Sequence, residues 1–216
     1  MRERVLRYRG ENIIVTFHVD RCTHVAECIL GLPEVFDVRR RPWVDPNAAS
    51  PNRIAEVIHR CPTGALHYER LDGGPPEPIP KKNQVTIVKN GPLYFRGHLI
   101  VKASDQQVLF TDTRLALCRC GASKNKPFCD NWHELIDFVE RGEITAIQTK
   151  ALENSAPLEI TCMKNGPLLL SGPVEIIGSN GMVGFRGDHT ALCRCGATKN
   201  PPFCDGTHTK IHFQTE

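Results

Sequence analysis

The sequence predicts an α+β protein: a mixed N-terminal domain followed by two copies of a β-rich unit. Three observations carry the prediction. First, a segment recurs. Lys89-Asn90-Gly91-Pro92-Leu93 returns as Lys164-Asn165-Gly166-Pro167-Leu168. Leu115-Ala116-Leu117-Cys118-Arg119-Cys120-Gly121-Ala122 returns as Thr190-Ala191-Leu192-Cys193-Arg194-Cys195-Gly196-Ala197. Both pairs lie the same 75 positions apart (Lys89 to Lys164, Leu115 to Thr190), which marks a duplicated structural unit. Second, residues 72–83 are rich in Gly and Pro, bury little and read as a linker. Third, the chain before the linker mixes strand-like alternation with helix-like spacing. The boundaries that follow are 1–71, a linker at 72–83, a first unit at 84–157 and a second at 158–216.

The elements come in order. Over residues 4–19, Val5, Tyr8, Ile13, Val15, Phe17 and Val19 alternate with polar residues. Gly10-Glu11-Asn12 turns the chain between two strands. Cys22 and Cys28 follow on a loop or short helix closed by residues 32–37, and residues 42–46 form a short extended piece. Ser50-Pro51 starts a helix whose one face carries Ile54, Val57, Ile58 and Cys61. Pro62-Thr63-Gly64 ends it and a strand resumes at Ala65. Each repeated unit opens with β-rich segments, such as 84–88 and 158–162. The joining stretch is expected to hold a short helix over 134–140.

Composition narrows the class. The net charge of +3 is too small for a dedicated nucleic-acid binder, and Arg39-Arg40-Arg41 reads as a solvated loop face. Every apolar run is broken before it reaches the length of a membrane span, and no signal-peptide core follows Met1. A cytoplasmic protein is expected, with its ten cysteines reduced and available to metal. Nine of these fall into three groups of three, with Cys162 left over, which points to metal rather than to disulfides. Cys162 stands where the first unit has Ile87 and is expected to be a small buried hydrophobe.

Two groups gain a histidine through the repeat. Cys118, Cys120, Cys129 and His133 form one set of donors; Cys193, Cys195, Cys204 and His208 form the other. Asp130 and Asp205 are placed to cap a helix whose first turn carries the His, or to tune that ring by a hydrogen bond. Gly206 permits a left-handed turn. A Cys3His zinc site is the alternative to an iron–sulfur site, although zinc knuckles space their paired cysteines more widely than C-x-C.

Residues 193–208 carry C-x-C-x2-T-x3-P-x-C-D-G-T-H and resemble the CDGSH iron–sulfur proteins, the mitoNEET-like group, at every specified position. Residues 118–133 resemble it too, except that Asn131 and Trp132 replace the usual Gly and small residue. The resemblance implies two [2Fe-2S] clusters, each held by three Cys and one His, in two units forming a pseudo-twofold pair. A monomer that makes internally the pair other members make between chains is then expected. Asn tolerates positive φ, so the turn at Asn131 should survive. Trp132 is bulky enough to shield the first cluster.

Residues 1–70 are similar to the divergent mono-cluster ferredoxins, on Cys22-Thr23-His24-Val25-Ala26-Glu27-Cys28 and Cys61-Pro62-Thr63-Gly64-Ala65. A ferredoxin-like domain is implied. Val25 holds the place of a middle cysteine, so Cys22, Cys28 and Cys61 match the ligand count of a [3Fe-4S] cluster. His24 is either a fourth ligand, which gives [4Fe-4S], or a hydrogen-bonding neighbour.

The expected function is electron transfer by a three-cluster protein. Its partners would be redox proteins or apo-acceptor proteins, with neither nucleic acid nor membrane involved. The alternative is cluster storage and transfer, or redox and pH sensing, through the labile His ligands. A zinc interaction module is a remote third reading. No nucleotide loop, nucleophile elbow or metalloprotease signature is present, so the chain is not expected to be an enzyme, although it could serve as a subunit of one.

Overall fold

A computed structural model describes residues 3–144, 147–152 and 156–215. The chain divides into two units, Met1–Pro78 and Ile79–Glu216. It is mostly β with few helices, and the second unit is β-rich as the repeat implied. Among the described residues, no helix is long and apolar enough to cross a membrane.

The first unit is built on an antiparallel sheet of β1 (Val5–Arg9), β2 (Ile13–His18) and β3 (Leu66–Arg70), with β2 in the middle. Gly10 closes the first hairpin through its N–H to the Ile13 carbonyl, 2.9 Å. The central strand carries the apolar load, with Ile13 and Val15 fully buried, whereas Val5 and Leu6 on the edge strand are more than a third exposed. Two helices, α1 (Glu27–Gly31) and α2 (Pro51–Ile58), cover the sheet. Pro51 takes the first helical position, and Ser50 precedes it without a side-chain capping bond. Ile54, Val57 and Ile58 turn one face of α2 into a core shared with Leu32, Val35, Phe36, Val44 and Leu66. The helix stops at Ile58, so Cys61 lies in the turn beyond it rather than on its apolar face. Pro62 keeps the helix from resuming at Cys61, because proline disfavours helical backbone at the residue before it.

The second unit is one seven-stranded sheet made by both repeats. The first repeat supplies β4 (Gln84–Ile87), β5 (Leu93–Ala103), β6 (Val108–Leu117) and α3 (Trp132–Leu135). After the short β7 (Gln148–Thr149), the second supplies β8 (Leu158–Cys162), β9 (Leu168–Ile177), β10 (Val183–Leu192) and α4 (Thr207–Lys210). The repeats are interlocked. β5 pairs along one edge with its own β4 through Leu93 and then with β8 of the other repeat through Leu99. β9 reciprocates, pairing with β8 through Leu168 and with β4 through Glu175. The core is accordingly continuous, with Phe95, Leu99 and Phe128 of one repeat packed with Leu170, Val174 and Leu192 of the other. Asn83 ties the start of the first repeat to the second. Its Nδ2 donates to the Ala156 and Pro173 carbonyls, each at 2.9 Å, and its Oδ1 accepts from the His98 N–H at 2.9 Å.

The helix expected over 134–140 is instead the single turn Trp132–Leu135. Asp137 adopts a left-handed backbone, φ 50°, which ends helical geometry where the polar spacing alone suggested it would continue. Residues 145–146 and 153–155 of the joining segment lie outside the described residues.

Candidate metal centres

Both repeats hold their donors in the same loop, built outward from the last strand. β6 and β10 run directly into the C-x-C turns. The loop returns so that the Cys118 N–H donates to the Pro127 carbonyl and the Cys129 N–H to the Ala116 carbonyl, both at 2.9 Å. The Cys193 and Cys204 N–H groups do the same to Pro202 and Ala191, both at 2.8 Å. Ser123 and Thr198 brace the loops from inside, each hydroxyl donating to the carbonyl of the Phe before the third cysteine, at 2.7 Å.

Asp130 and Asp205 are not helix caps. They lie one residue earlier, and the cap positions are Asn131 and Gly206, both left-handed, with φ of 66° and 81°. Each carboxylate clasps the loop to the helix start. Asp130 accepts from the Lys124 and Trp132 N–H groups, and Asp205 from those of Lys199 and Thr207. Those two backbone bonds hold the Asp205 carboxyl well below the usual carboxylate range.

The donors sit in pairs. Cys118 Sγ and Cys120 Sγ are 3.6 Å apart, and Cys129 Sγ lies 3.4 Å from His133 Nδ1. The second site repeats this, with 3.6 Å between Cys193 and Cys195 and 3.3 Å between Cys204 Sγ and His208 Nδ1. Two sulfurs on one tetrahedral metal at ordinary bond lengths stand about 3.8 Å apart, and a sulfur and an imidazole nitrogen about 3.6 Å. Each pair therefore matches two ligands of one ion. Among the described residues, no three Cys, His, Asp or Glu side chains converge on a single ion position. Each site thus presents its four donors as two such pairs. Nδ1 is the inward nitrogen in both histidines. The Cys120 thiol hydrogen-bonds to Cys118 and holds it toward the thiolate, the form that ligates.

The two sites meet. Cys120 and Cys195 pair across an isolated antiparallel bridge. A Cβ on Gly121 would lie 2.6 Å from the Cys195 carbonyl oxygen, and one on Gly196 would lie 2.6 Å from that of Cys120. Both glycines have positive φ, 83° and 77°, so the approach requires residues without a side chain.

The copies differ around this shared frame. Trp132 is half-buried, with the Lys124 ammonium 4.1 Å from its ring centroid, where the second site has Thr207. His133 Nε2 has the Glu134 carboxylate 3.8 Å away, where the second site has Thr209. The arginines between the ligand cysteines are buried in both copies but partnered differently. Arg119 donates to the Gly91 and Val88 carbonyls, at 2.7 and 2.5 Å, and is ion-paired with Glu140. The position equivalent to Glu140 is Thr215. Both hold their turn alike, the Glu140 N–H bonding Asn90 Oδ1 and the Thr215 N–H bonding Asn165 Oδ1. Only Glu140 brings a carboxylate. Sequence reasoning passed over these arginines, although an Arg between two ligand cysteines in both copies was the available signal. Cys162 packs against the core of the unit.

In the first unit, the loop after a 3-10 turn at Val19–Arg21 carries Cys22. Cys28 is the second residue of α1, and Cys61 follows α2. All three line one cavity with His24, Val25, Ala26 and Thr63. An adjoining apolar groove of about 270 Å³ is floored by Phe17 and Trp43. His24 and Ala26 both have left-handed backbone, φ 56° and 70°, which wraps the loop around the cavity at some cost in strain. Burial raises the Cys22 and Cys28 thiols, Cys28 to about 11, and each also feels Cys61. His24 Nδ1 lies 3.9 Å from Cys22 Sγ. The three cysteines and His24 thus share one cavity, with the His24 ring beside Cys22.

Fold and sites together define an iron–sulfur binding protein. Residues 8–71 match a family described as a divergent 4Fe-4S mono-cluster. Residues 90–134 and 165–209 each match the iron-binding zinc finger of CDGSH type. The chain belongs to these families as a tandem CDGSH-type iron–sulfur protein with an N-terminal divergent mono-cluster domain. The uncharacterized protein YjdI of Escherichia coli K12 is 38% identical over 61 residues, which is 28% of this chain and 80% of YjdI. YjdI of the O157:H7 strain matches with the same figures. Its likeness is to the N-terminal region. No solved structure matches this chain significantly.

Proposed function

We propose that this protein is an electron carrier holding two [2Fe-2S] clusters and one N-terminal cluster. The observation that carries the reading is the bridge between Cys120 and Cys195, which joins two binuclear sites backbone to backbone in one sheet. Carriers fixed in one sheet would exchange electrons without domain motion. Cys118 and Cys120 would hold one iron of the first cluster, and Cys129 with His133 the other. Cys193 with Cys195, and Cys204 with His208, would do so in the second. Bound iron–sulfur clusters supply one-electron redox chemistry; the chain supplies the ligands, the burial and the fixed separation.

For the N-terminal cavity the reading is [3Fe-4S] on Cys22, Cys28 and Cys61. Ligands on different irons of such a cluster point to different corners, whereas His24 lies beside Cys22. Its ring suits a hydrogen bond to that sulfur better than a fourth corner. The competing reading is [4Fe-4S] with His24 as ligand, favoured by the description of the matching family. Electron paramagnetic resonance of the oxidised protein decides: [3Fe-4S] is paramagnetic and [4Fe-4S] of this type is silent.

The chemistry of a single imidazole favours a second role, delivery of whole clusters, because a protonated ring releases iron more readily than a thiolate does. Mixing the reduced protein with an oxidised acceptor, and the oxidised protein with an apo-ferredoxin, at matched concentrations separates the roles. The carrier reading expects electron transfer to outpace cluster transfer. Cluster transfer that is faster would reverse the assignment.

A further inference from the structure

We infer that the buried Arg119–Glu140 pair and its broken counterpart at Arg194 set the direction of electron flow inside this chain, from the second [2Fe-2S] site to the first. The inference rests on the proposed binuclear reading of the two sites and concerns residues that reading does not use as ligands.

The two arginines are equivalent by position and by burial, at 4% and 5% exposed. Each guanidinium lies within electrostatic reach of the opposite repeat's site: Arg119 of Cys193, and Arg194 of Cys118. This crossing follows from the bridge that brings the C-x-C turns together. Arg119 also approaches its own Cys120, and Arg194 approaches Cys162.

Their compensation differs. The charge of Arg119 is met by Glu140, whose side chain is only 17% exposed. Thr215 replaces that carboxylate in the second repeat, and among the described residues Arg194 Nη1 is buried without a hydrogen-bond partner. Among the described residues, the first site therefore faces a cation with no carboxylate partner, and the second faces one met by Glu140. Charges act over long range in a poorly polarisable interior. A cation beside a cluster favours the form carrying the extra electron, so the first site has the higher potential. Glu134, on the first site's histidine, opposes this, but it is 71% exposed and screened by water and salt. Asp130 and Asp205, and Lys124 and Lys199, occupy equivalent positions in both copies and cancel.

The step moves one electron. The second site loses it and is oxidised, and the first gains it and is reduced. No bond or proton moves.

Redox titration of the full chain, followed by paramagnetic resonance, tests this. Two [2Fe-2S] steps are expected, with the electron favouring one site by at least tenfold, which is about 59 mV for one electron. Glu140→Gln uncovers Arg119, which acts on Cys193 more than on Cys120, and should raise the lower step more than the upper. Thr215→Glu gives Arg194 a partner and should lower the upper step. Each variant alone should narrow the gap below tenfold. Either variant suffices should the other not fold. Two [2Fe-2S] steps with a gap unchanged or widened in the variants would overturn the inference and leave the binuclear reading standing. A wild-type protein without [2Fe-2S] signals would overturn that reading itself.

Discussion

Cys120 and Cys195, the middle ligands of two loops 75 positions apart, face each other across one antiparallel bridge. The relationship makes the two sites one structural object. It depends on Gly121 and Gly196, and each glycine leaves room for the other loop's carbonyl.

Gly121→Ala should therefore disturb both sites. A left-handed alanine costs about 1 kcal/mol, and the clash with the Cys195 carbonyl adds to that. Lower iron content and faster loss of visible colour from both clusters are expected. Gly206→Ala is the control: it has positive φ but nothing within 4 Å, so its effect should stay near the backbone cost and at one site. Equal behaviour of the two variants would argue against a tight joint.

Trp132→Ser should expose the first site. The Lys124 ammonium lies over the indole beside the ligand His133, an arrangement that Thr207 cannot provide at the second site. The first cluster's decay rate or potential should change while the second cluster's stays fixed. Absorbance decay of the variant, resolved into two phases, checks this; unaltered phases would mean that the ring shields nothing.

Acid should release the C-terminal clusters through their histidines and not through collapse of the loops. Asp205 has its folded pKa depressed by backbone N–H bonds, so the stability it contributes is present above the usual carboxylate pKa. That stability is lost only as pH falls through the depressed value. Between about pH 5 and 7 the loop stays clasped, and imidazole is the group that protonates in that window. His208→Cys should slow colour loss from the second site by several-fold there. Equal acid lability in the variant would place the release elsewhere.

Much of this arrangement was legible in the sequence because ligand spacing is local. The pairing of Cys118 with Cys120 and of Cys129 with His133 follows from short-range loop geometry, and the constant offset exposed the duplication. Asn131 adopts the left-handed turn that its likeness to glycine implied. What the sequence hid was non-local. Nothing in the spacing says that β5 leaves β4 for β8, that Cys120 meets Cys195, or that Glu140 reaches back to Arg119. Asp130 read as a cap because cap preference is statistical, whereas its actual partners, the Lys124 and Trp132 N–H groups, depend on how the loop closes.

His24→Ala separates the readings of the N-terminal site. If the ring only neighbours Cys22, the variant should keep the paramagnetic signal of an oxidised [3Fe-4S] cluster, with a shifted potential. Loss of iron from the site in proportion to loss of the ring would make His24 a ligand.

The central claim is the set of clusters, and metal analysis joined to spectroscopy of one preparation tests it most directly. The protein isolated without added metal should be red-brown. Its iron and acid-labile sulfide should match two binuclear clusters and one trinuclear cluster per chain, with two distinct [2Fe-2S] signals on reduction. A colourless protein with stoichiometric zinc at Cys118, Cys120, Cys129 and His133 and at the equivalent set would contradict it.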